Sequence, residues 1–216
     1  MSTQLKISPQ SFGQEKVRWL NRFTAHASNY WLGFFADPLT VVFLLVWDAA
    51  VLRGRPLMVA ASFGGGILGW TLVEYCFHRW VYHRGQTLMH AGHAMHHEMP
   101  EAAIGMPWFI TTGLMLSLWY IFAYLLEIPF VVSAVAGWLA GFFSYYSFHH
   151  LIHHRLNLKY GWYRRLRAHH KIHHQLPETN FGVTSRLWDN VFGTLHRRAG
   201  AAAAGRSSVA HAASRD

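Results

Sequence analysis

Four short runs of histidine stand out as the residues able to do chemistry. They are His78-Arg-Trp-Val-Tyr-His83, His93-Ala-Met-His96-His97, His149-His150-Leu-Ile-His153-His154 and His170-Lys-Ile-His173-His174, with His90 and His169 just outside the second and fourth. The chain holds 17 histidines in 216 residues; six fall in 78–97 and eight in 149–174, so they concentrate in two windows. Neutral imidazole is a good ligand for iron, zinc and copper. A lone histidine is most simply a hydrogen-bonded side chain, but repeated boxes left without metal would crowd weakly basic groups together.

Spacing gives these boxes direction. At about 100° per residue, positions i, i+3 and i+4 fall within one helical face, so an HxxHH box aims three imidazoles one way and His149 and His153 form a matching pair. His78 and His83, five apart, diverge by about 140° on an α-helix; either the helix frays or bends there, or the two serve different metals. Ten boxed imidazoles (His78, His83, His93, His96, His97, His149, His153, His170, His173 and His174) exceed the four ligands of a structural zinc site, which is usually built with cysteine. Cys76 is the one cysteine, within an apolar run, and no disulfide can form within the chain. The number suits two metals with room for an exogenous molecule. Nearby carboxylates are limited to Glu74, Glu98, Glu101 and Glu178, so a carboxylate-bridged di-iron bundle is not the pattern.

The elements that must position these boxes are apolar. Hydrophobic residues make up 52% of the chain and charged ones 13%, about half the usual soluble share of roughly 25%. Segments near Pro38–Leu52, Pro56–Cys76, Pro107–Leu126 and Pro129–Tyr146 each open at a proline, tolerated where a helix begins. The second and third approach the roughly 20 residues needed to cross a bilayer; the first is short, carries Asp48, and can borrow length from Tyr30–Phe35. Arg53-Gly54-Arg55 and Glu127-Ile128 are short enough only for tight helical hairpins. Four spans return every histidine box to the side holding both termini. That side carries nearly all of the lysine and arginine, so positive-inside bias makes it cytoplasmic.

The expected fold is therefore all-α: an integral membrane protein with four transmembrane helices and a cytoplasmic, histidine-rich helical cap. Residues 1–28 read as a polar cytoplasmic segment without a cleavable signal, 29–198 as one membrane domain, and 199–216 as a disordered Ala/Gly/Ser/Arg tail. The net charge of +9 then answers to orientation and anionic headgroups, and no soluble basic stripe remains to bind nucleic acid.

With the boxes goes Asn180-Phe-Gly-Val-Thr-Ser-Arg-Leu-Trp188-Asp189-Asn-Val-Phe-Gly193-Thr194. Together these motifs resemble the fatty acid hydroxylase/sterol desaturase superfamily over roughly residues 56–195, and the closing stretch is most similar to the fatty acid 2-hydroxylase branch. The resemblance implies a membrane di-iron oxygenase that reduces dioxygen and places one oxygen atom in an acyl chain, at C2. It implies two irons on the ten boxed histidines, with dioxygen as co-substrate; zinc can occupy the same nitrogens in purified protein. Many eukaryotic members carry a cytochrome b5 domain, for which this sequence has no room. The expected partners are thus a membrane lipid and a separate electron donor, a ferredoxin or a cytochrome with its reductase.

Around the ligands, Glu74, His90, His150, His154, His169 and Asn180 are candidate outer hydrogen-bond partners. Glu74 stands four residues before His78 and Asn180 is equally a turn residue. Trp188 and Asp189 read as structural, and Tyr145 and Tyr146 as substrate-lining or as part of an interfacial aromatic belt. Within the superfamily, a sterol desaturase or hydroxylase or a carotenoid ring hydroxylase would use the same boxes, and a second rival, the membrane acyl desaturases, also uses HxxxxH and two HxxHH boxes. From other classes, a bis-histidine haem protein or a metal transporter would need ligands within the bilayer, where Asp48 and Glu74 are the ionisable candidates.

Overall fold

A computed structural model of the chain describes residues 26–51, 55–84, 87–102, 105–128, 130–154 and 158–197. The tail 199–216, nearly all of the segment 1–28, Arg53, Gly54 and Pro129 lie outside the described residues. Among the described residues all regular structure is helical: α1 (Ala27–Val51), α2 (Pro56–Cys76) running on into a π-helical segment (Phe77–Tyr82), α3 (Leu88–Glu98), α4 (Trp108–Tyr120) with a second π segment (Ile121–Leu125), α5 (Val131–His154), α6 (Gly161–Gln175) and the short α7 (Leu187–Val191). Four helices are long and apolar enough to cross a membrane: Ser28–Val51, Pro56–Tyr82, Trp108–Leu125 and Val131–His154. They mark a multi-pass membrane protein, and side chains such as Leu39, Phe35 and Leu57 remain 70%, 67% and 80% exposed, as lipid-facing residues must.

The first span corrects the sequence reading. Helix α1 begins eleven residues before Pro38 and runs through it. Tyr30, Trp31, Leu32, Phe34 and Phe35 supply the missing apolar length, and proline within a membrane helix is tolerated when neighbours satisfy the freed backbone. Asp37, which the sequence reading passed over, is buried beside Pro38 and accepts from Thr111 Oγ1 and Thr112 Oγ1 at 3.5 and 3.4 Å.

The described residues divide into two compact units, one of 26–70 and 98–143, the other of 71–97 and 144–197. In the first unit Leu44, Met115, Val132, Val135, Ala136 and Leu139 form the core, flanked by Trp47, Trp119 and Trp138. Lipid tails are as apolar as leucine, so these helices associate through close packing rather than water exclusion. A Cβ on Gly137 would lie 2.0 Å from Phe63 O, and one on Gly66 2.1 Å from Ala134 O. The backbones of α2 and α5 meet at those glycines. Asp48 adds a polar anchor: it accepts from the backbone N–H of Ser133 at 3.1 Å and from its hydroxyl, in the first turn of α5 where N–H groups lack helical acceptors.

The second unit carries every histidine box. Ile152, Tyr163 and Val183 form its apolar core, and the Tyr163 hydroxyl donates to Leu151 O at 2.8 Å.

Candidate metal centre

Helix geometry sorts the ten boxed imidazoles into two groups of five. One holds His78, His83, His93, His97 and His173; the other holds His96, His149, His153, His170 and His174. Within each group the ligand nitrogens all lie within 4.8 Å of one another. The π turn at Phe77–Tyr82 brings His78 and His83 together: winding by i→i+5 puts residues five apart on one face, where an α-helix would splay them. Their ring centroids are 5.2 Å apart. Each HxxHH box, with its three imidazoles on one helix face, divides between the two groups. From α3, His93 and His97 join the first group and His96 the second. From α6, His170 and His174 join the second and His173 the first. An i, i+4 pair stays together and the i+3 member crosses to the other group.

The nitrogen contacts ask for a cation. His93 Nε2 lies 2.9–3.1 Å from the Nε2 atoms of His83, His97 and His78. A ring nitrogen carries one proton or one lone pair, so hydrogen bonds cannot satisfy three such neighbours. Equivalent contacts recur at His83–His173 (3.0 Å), His153–His170 (3.0 Å), His170–His174 (3.1 Å) and His96–His174 (3.2 Å). Nitrogens about 2.1 Å from a divalent ion and at right angles to each other stand about 3.0 Å apart, the spacing found. These residues fit a pair of nitrogen-ligated metal ions.

The outer nitrogens strengthen the fit. His78 Nδ1 donates to Phe181 O and His173 Nδ1 donates to Thr179 O at 2.8 Å. A carbonyl can only accept, so both rings carry the proton on Nδ1 and present a bare Nε2 inward. Burial, with the charge of neighbouring imidazoles, lowers the ring pKa values: His83 to about 4, His174 to about 3 and His96 to about 2, with His93 and His170 also shifted down. Burial lowers His173 to about 3 against the pull of the Thr179 carbonyl. Lone pairs are therefore available at neutral pH.

A family model described as fatty acid hydroxylase matches residues 63–194. The chain belongs to the fatty acid hydroxylase family. It is 33% identical over 139 residues to dihydroceramide fatty acyl 2-hydroxylase FAH2 of Arabidopsis thaliana, covering 60% of this chain and 58% of that protein. It is 30% identical over 187 residues to ceramide very long chain fatty acid hydroxylase scs7 of Schizosaccharomyces pombe, covering 75% and 53%. Rat fatty acid 2-hydroxylase is 30% identical over 144 residues, 60% of this chain and 38% of that one. The chain thus spans roughly two fifths to three fifths of these relatives' own lengths. A solved structure of full-length scs7p, with only its hydroxylase domain visible, superposes with a TM-score of 0.66 at 27% identity, covering 83% of this chain and 70% of that one.

The outer candidates of this family member fall in different places. His90 Nδ1 donates to Tyr82 O at 2.7 Å, on the backbone just before His83. His150 and His154 stack on each other 4.5 Å apart, outside both groups. Glu74 does not reach a histidine ring; its oxygens accept from Val183 N (2.6 Å), Thr184 N (2.9 Å) and Thr184 Oγ1 (2.5 Å). Asn180 takes a positive φ of 58°, and its side chain joins His169 O and His196 N rather than an imidazole. Tyr145 lies parallel to His149, ring centroids 5.7 Å apart, and Tyr82 stacks on His93 at 5.2 Å. Trp188 donates from Nε1 to Thr71 Oγ1 at 3.0 Å.

Asp189, read from the sequence as structural, holds more than that reading named. It is fully buried and accepts from His169 Nε2 (3.0 Å), Phe181 N (2.8 Å), Gly182 N (2.9 Å) and Thr194 Oγ1 (2.7 Å). Burial alone would raise its pKa; the donors from His169, Thr194 and Gly182 and the His169 charge prevail and lower it. Asp189 is one of ten acidic residues in the whole sequence and lies within a run that resembles the family. That scarcity was the available signal.

Proposed function

We propose that this chain is a di-iron, dioxygen-dependent lipid hydroxylase that converts a C–H bond at C2 of a membrane acyl chain to C–OH. The observation that carries this reading is the division of ten imidazoles into two groups of five, a donor set for two metals with no bridging carboxylate. The relatives' names add the substrate class, because they specify fatty acyl or ceramide hydroxylation. Iron held there supplies reduction of dioxygen by two electrons and two protons, one oxygen atom entering the C–H bond and the other leaving as water.

The protein's own part is to hold and orient. His78 and His173 are fixed by carbonyls, so their inward nitrogens need no reorientation on loading. His90 ties α3 to the backbone before His83. Tyr82 and Tyr145 cover the faces of His93 and His149 and limit water there. Electrons come from a separate ferredoxin or cytochrome with its reductase. The histidine groups and both termini face the cytoplasm, as the distribution of lysine and arginine favours.

The test is a lipid profile of host membranes carrying the wild-type chain, His97→Ala or His174→Ala. Acyl species gaining one oxygen atom with the wild type, and with neither variant, are the expected result. Gain by both variants removes the ligand assignment. Loss of two hydrogens from acyl chains replaces hydroxylation with desaturation, and a change confined to sterols or carotenoids discards the acyl substrate.

A further inference from the structure

Five consecutive backbone N–H groups near the histidine groups are all spoken for. Asn180 N donates to Thr194 O at 3.0 Å, Phe181 N and Gly182 N donate to the two oxygens of Asp189, and Val183 N and Thr184 N donate to Glu74 Oε1. Two buried carboxylates from distant parts of the sequence therefore grip one stretch, 181–184, that has no helix or sheet to hold it. Gly182 fits where a Cβ would stand 2.0 Å from Ser185 O, so the stretch is also tightly enclosed. On the other side of this backbone, the carbonyls of Thr179 and Phe181 receive the Nδ1 protons of His173 and His78. Both imidazoles belong to the same group of five. The other group has no such tether in its centre: His170 Nδ1 is buried and has no hydrogen-bond partner among the described residues.

We propose that Asp189 and Glu74 are positioning residues for the first histidine group alone, acting through the 181–184 backbone on the orientation of His78 by Phe181 O and, two residues earlier in the same chain, of His173 by Thr179 O. This inference rests on the reading of the two groups as metal sites. At Asp189, whose two oxygens each take one backbone N–H, asparagine would turn an amide N–H toward one of the donors, and the segment would shift; at Glu74, where Oε1 takes both, the side-chain oxygen itself must be removed. Partners outside the ligands typically set metal affinity within a factor of 10 to 100, and here that factor falls on one metal of the two.

The experiment titrates the metal-free full chain in detergent with cobalt(II), reading visible absorption and cobalt bound per chain. Helical circular dichroism and gel-filtration elution select the variants that fold. The wild type takes up two cobalt ions. Asp189→Asn keeps one at wild-type affinity and binds the other about 10- to 100-fold more weakly. Glu74→Leu, which removes from α2 the oxygen that accepts from Val183 N and Thr184 N, does the same and serves if Asp189→Asn does not fold. The assignment to one group comes from two further backgrounds. Adding Asp189→Asn to a chain lacking both tethered imidazoles (His78→Ala with His173→Ala) leaves the remaining cobalt site unchanged. Adding it to His174→Ala weakens the intact first group. Unchanged affinity at both sites in both folded variants overturns the proposal, and so does equal weakening of the two. Failure of the wild type to take up two cobalt ions instead overturns the metal-centre reading, a different result from either.

Discussion

The two histidine groups hold equal numbers of ligands but are supported differently. The second is assembled from three helices: His149 and His153 on α5, His170 and His174 on α6, and His96 on α3. Two of its three contributions are i, i+4 pairs on regular α-helix, so helix packing alone sets their direction. The first draws on a π turn for His78, on His83 just beyond it, and on two backbone carbonyls for His78 and His173. Both groups thus take ligands from regular helices, His93 and His97 on α3 and His173 on α6 included, but only the first adds a local departure from them and a stretch gripped by two acids.

The largest effect should come from breaking each group directly, using the adjacent residues His173 and His174. His173→Ala should abolish high-affinity metal at the first group and His174→Ala at the second, so each lowers bound metal from two per chain towards one. The double variant should hold little. Metal analysis of the three proteins checks this, and a single variant that loses both metals would mean the groups are one cooperative site rather than two.

A steric lesion at Gly182 should come next. Its Cβ would collide with Ser185 O at 2.0 Å and stand 3.1 Å from Asp189 Oδ2, forcing the backbone away from Asp189 without changing any charged residue. Gly182→Ala, which crowds both Ser185 O and the Asp189 carboxylate, should weaken the first group by about 10-fold or more while the second holds its metal, because the displaced carbonyl belongs to Phe181. Cobalt spectra would report the loss of one site's signal. Equal loss from both sites would erase the contrast between the groups.

How much of this contrast could be read from sequence depends on whether the support is made of side chains or of backbone. The four boxes and the four apolar runs are patterns of residue type, and the structure brings all ten boxed histidines together in those elements. The reciprocal division of the HxxHH boxes was hidden, because one face of one helix says nothing about where two neighbouring sites lie on either side of it. The π turn was hidden for a related reason: the five-residue spacing of His78 and His83 conflicts with an α-helix, but frayed, bent and π-wound chains all relieve that conflict. Asp189 and Glu74 were visible as letters, yet what they hold is N–H groups, which every residue but proline has. Glu74 therefore drew attention to His78, four residues on, when its partners lie more than a hundred residues away. Helix α1 shows the converse: the sequence placed its opening near Pro38 but allowed it Tyr30–Phe35, and in lipid the apolar helix runs through the proline and takes that length.

The smallest effect separates the buried support of the first group from its surface. Arg84 follows His83, and Glu178 precedes Thr179, whose carbonyl orients His173; their side chains meet at 3.8 Å with 57% and 75% exposure. The pair therefore bridges the same two places that the first group depends on. Solvent screens a pair so open, and such contacts contribute about 0–1 kcal/mol at most. Arg84→Ala should leave both metals bound with affinities within about twofold of wild type, and should do so equally at low and high salt. A salt-sensitive loss at the first group alone would show that its positioning extends outward to this ion pair, with Asp189 and Glu74 only the buried part of a longer support. Cobalt titration at two ionic strengths decides between a support confined to the buried carboxylates and one that reaches the surface.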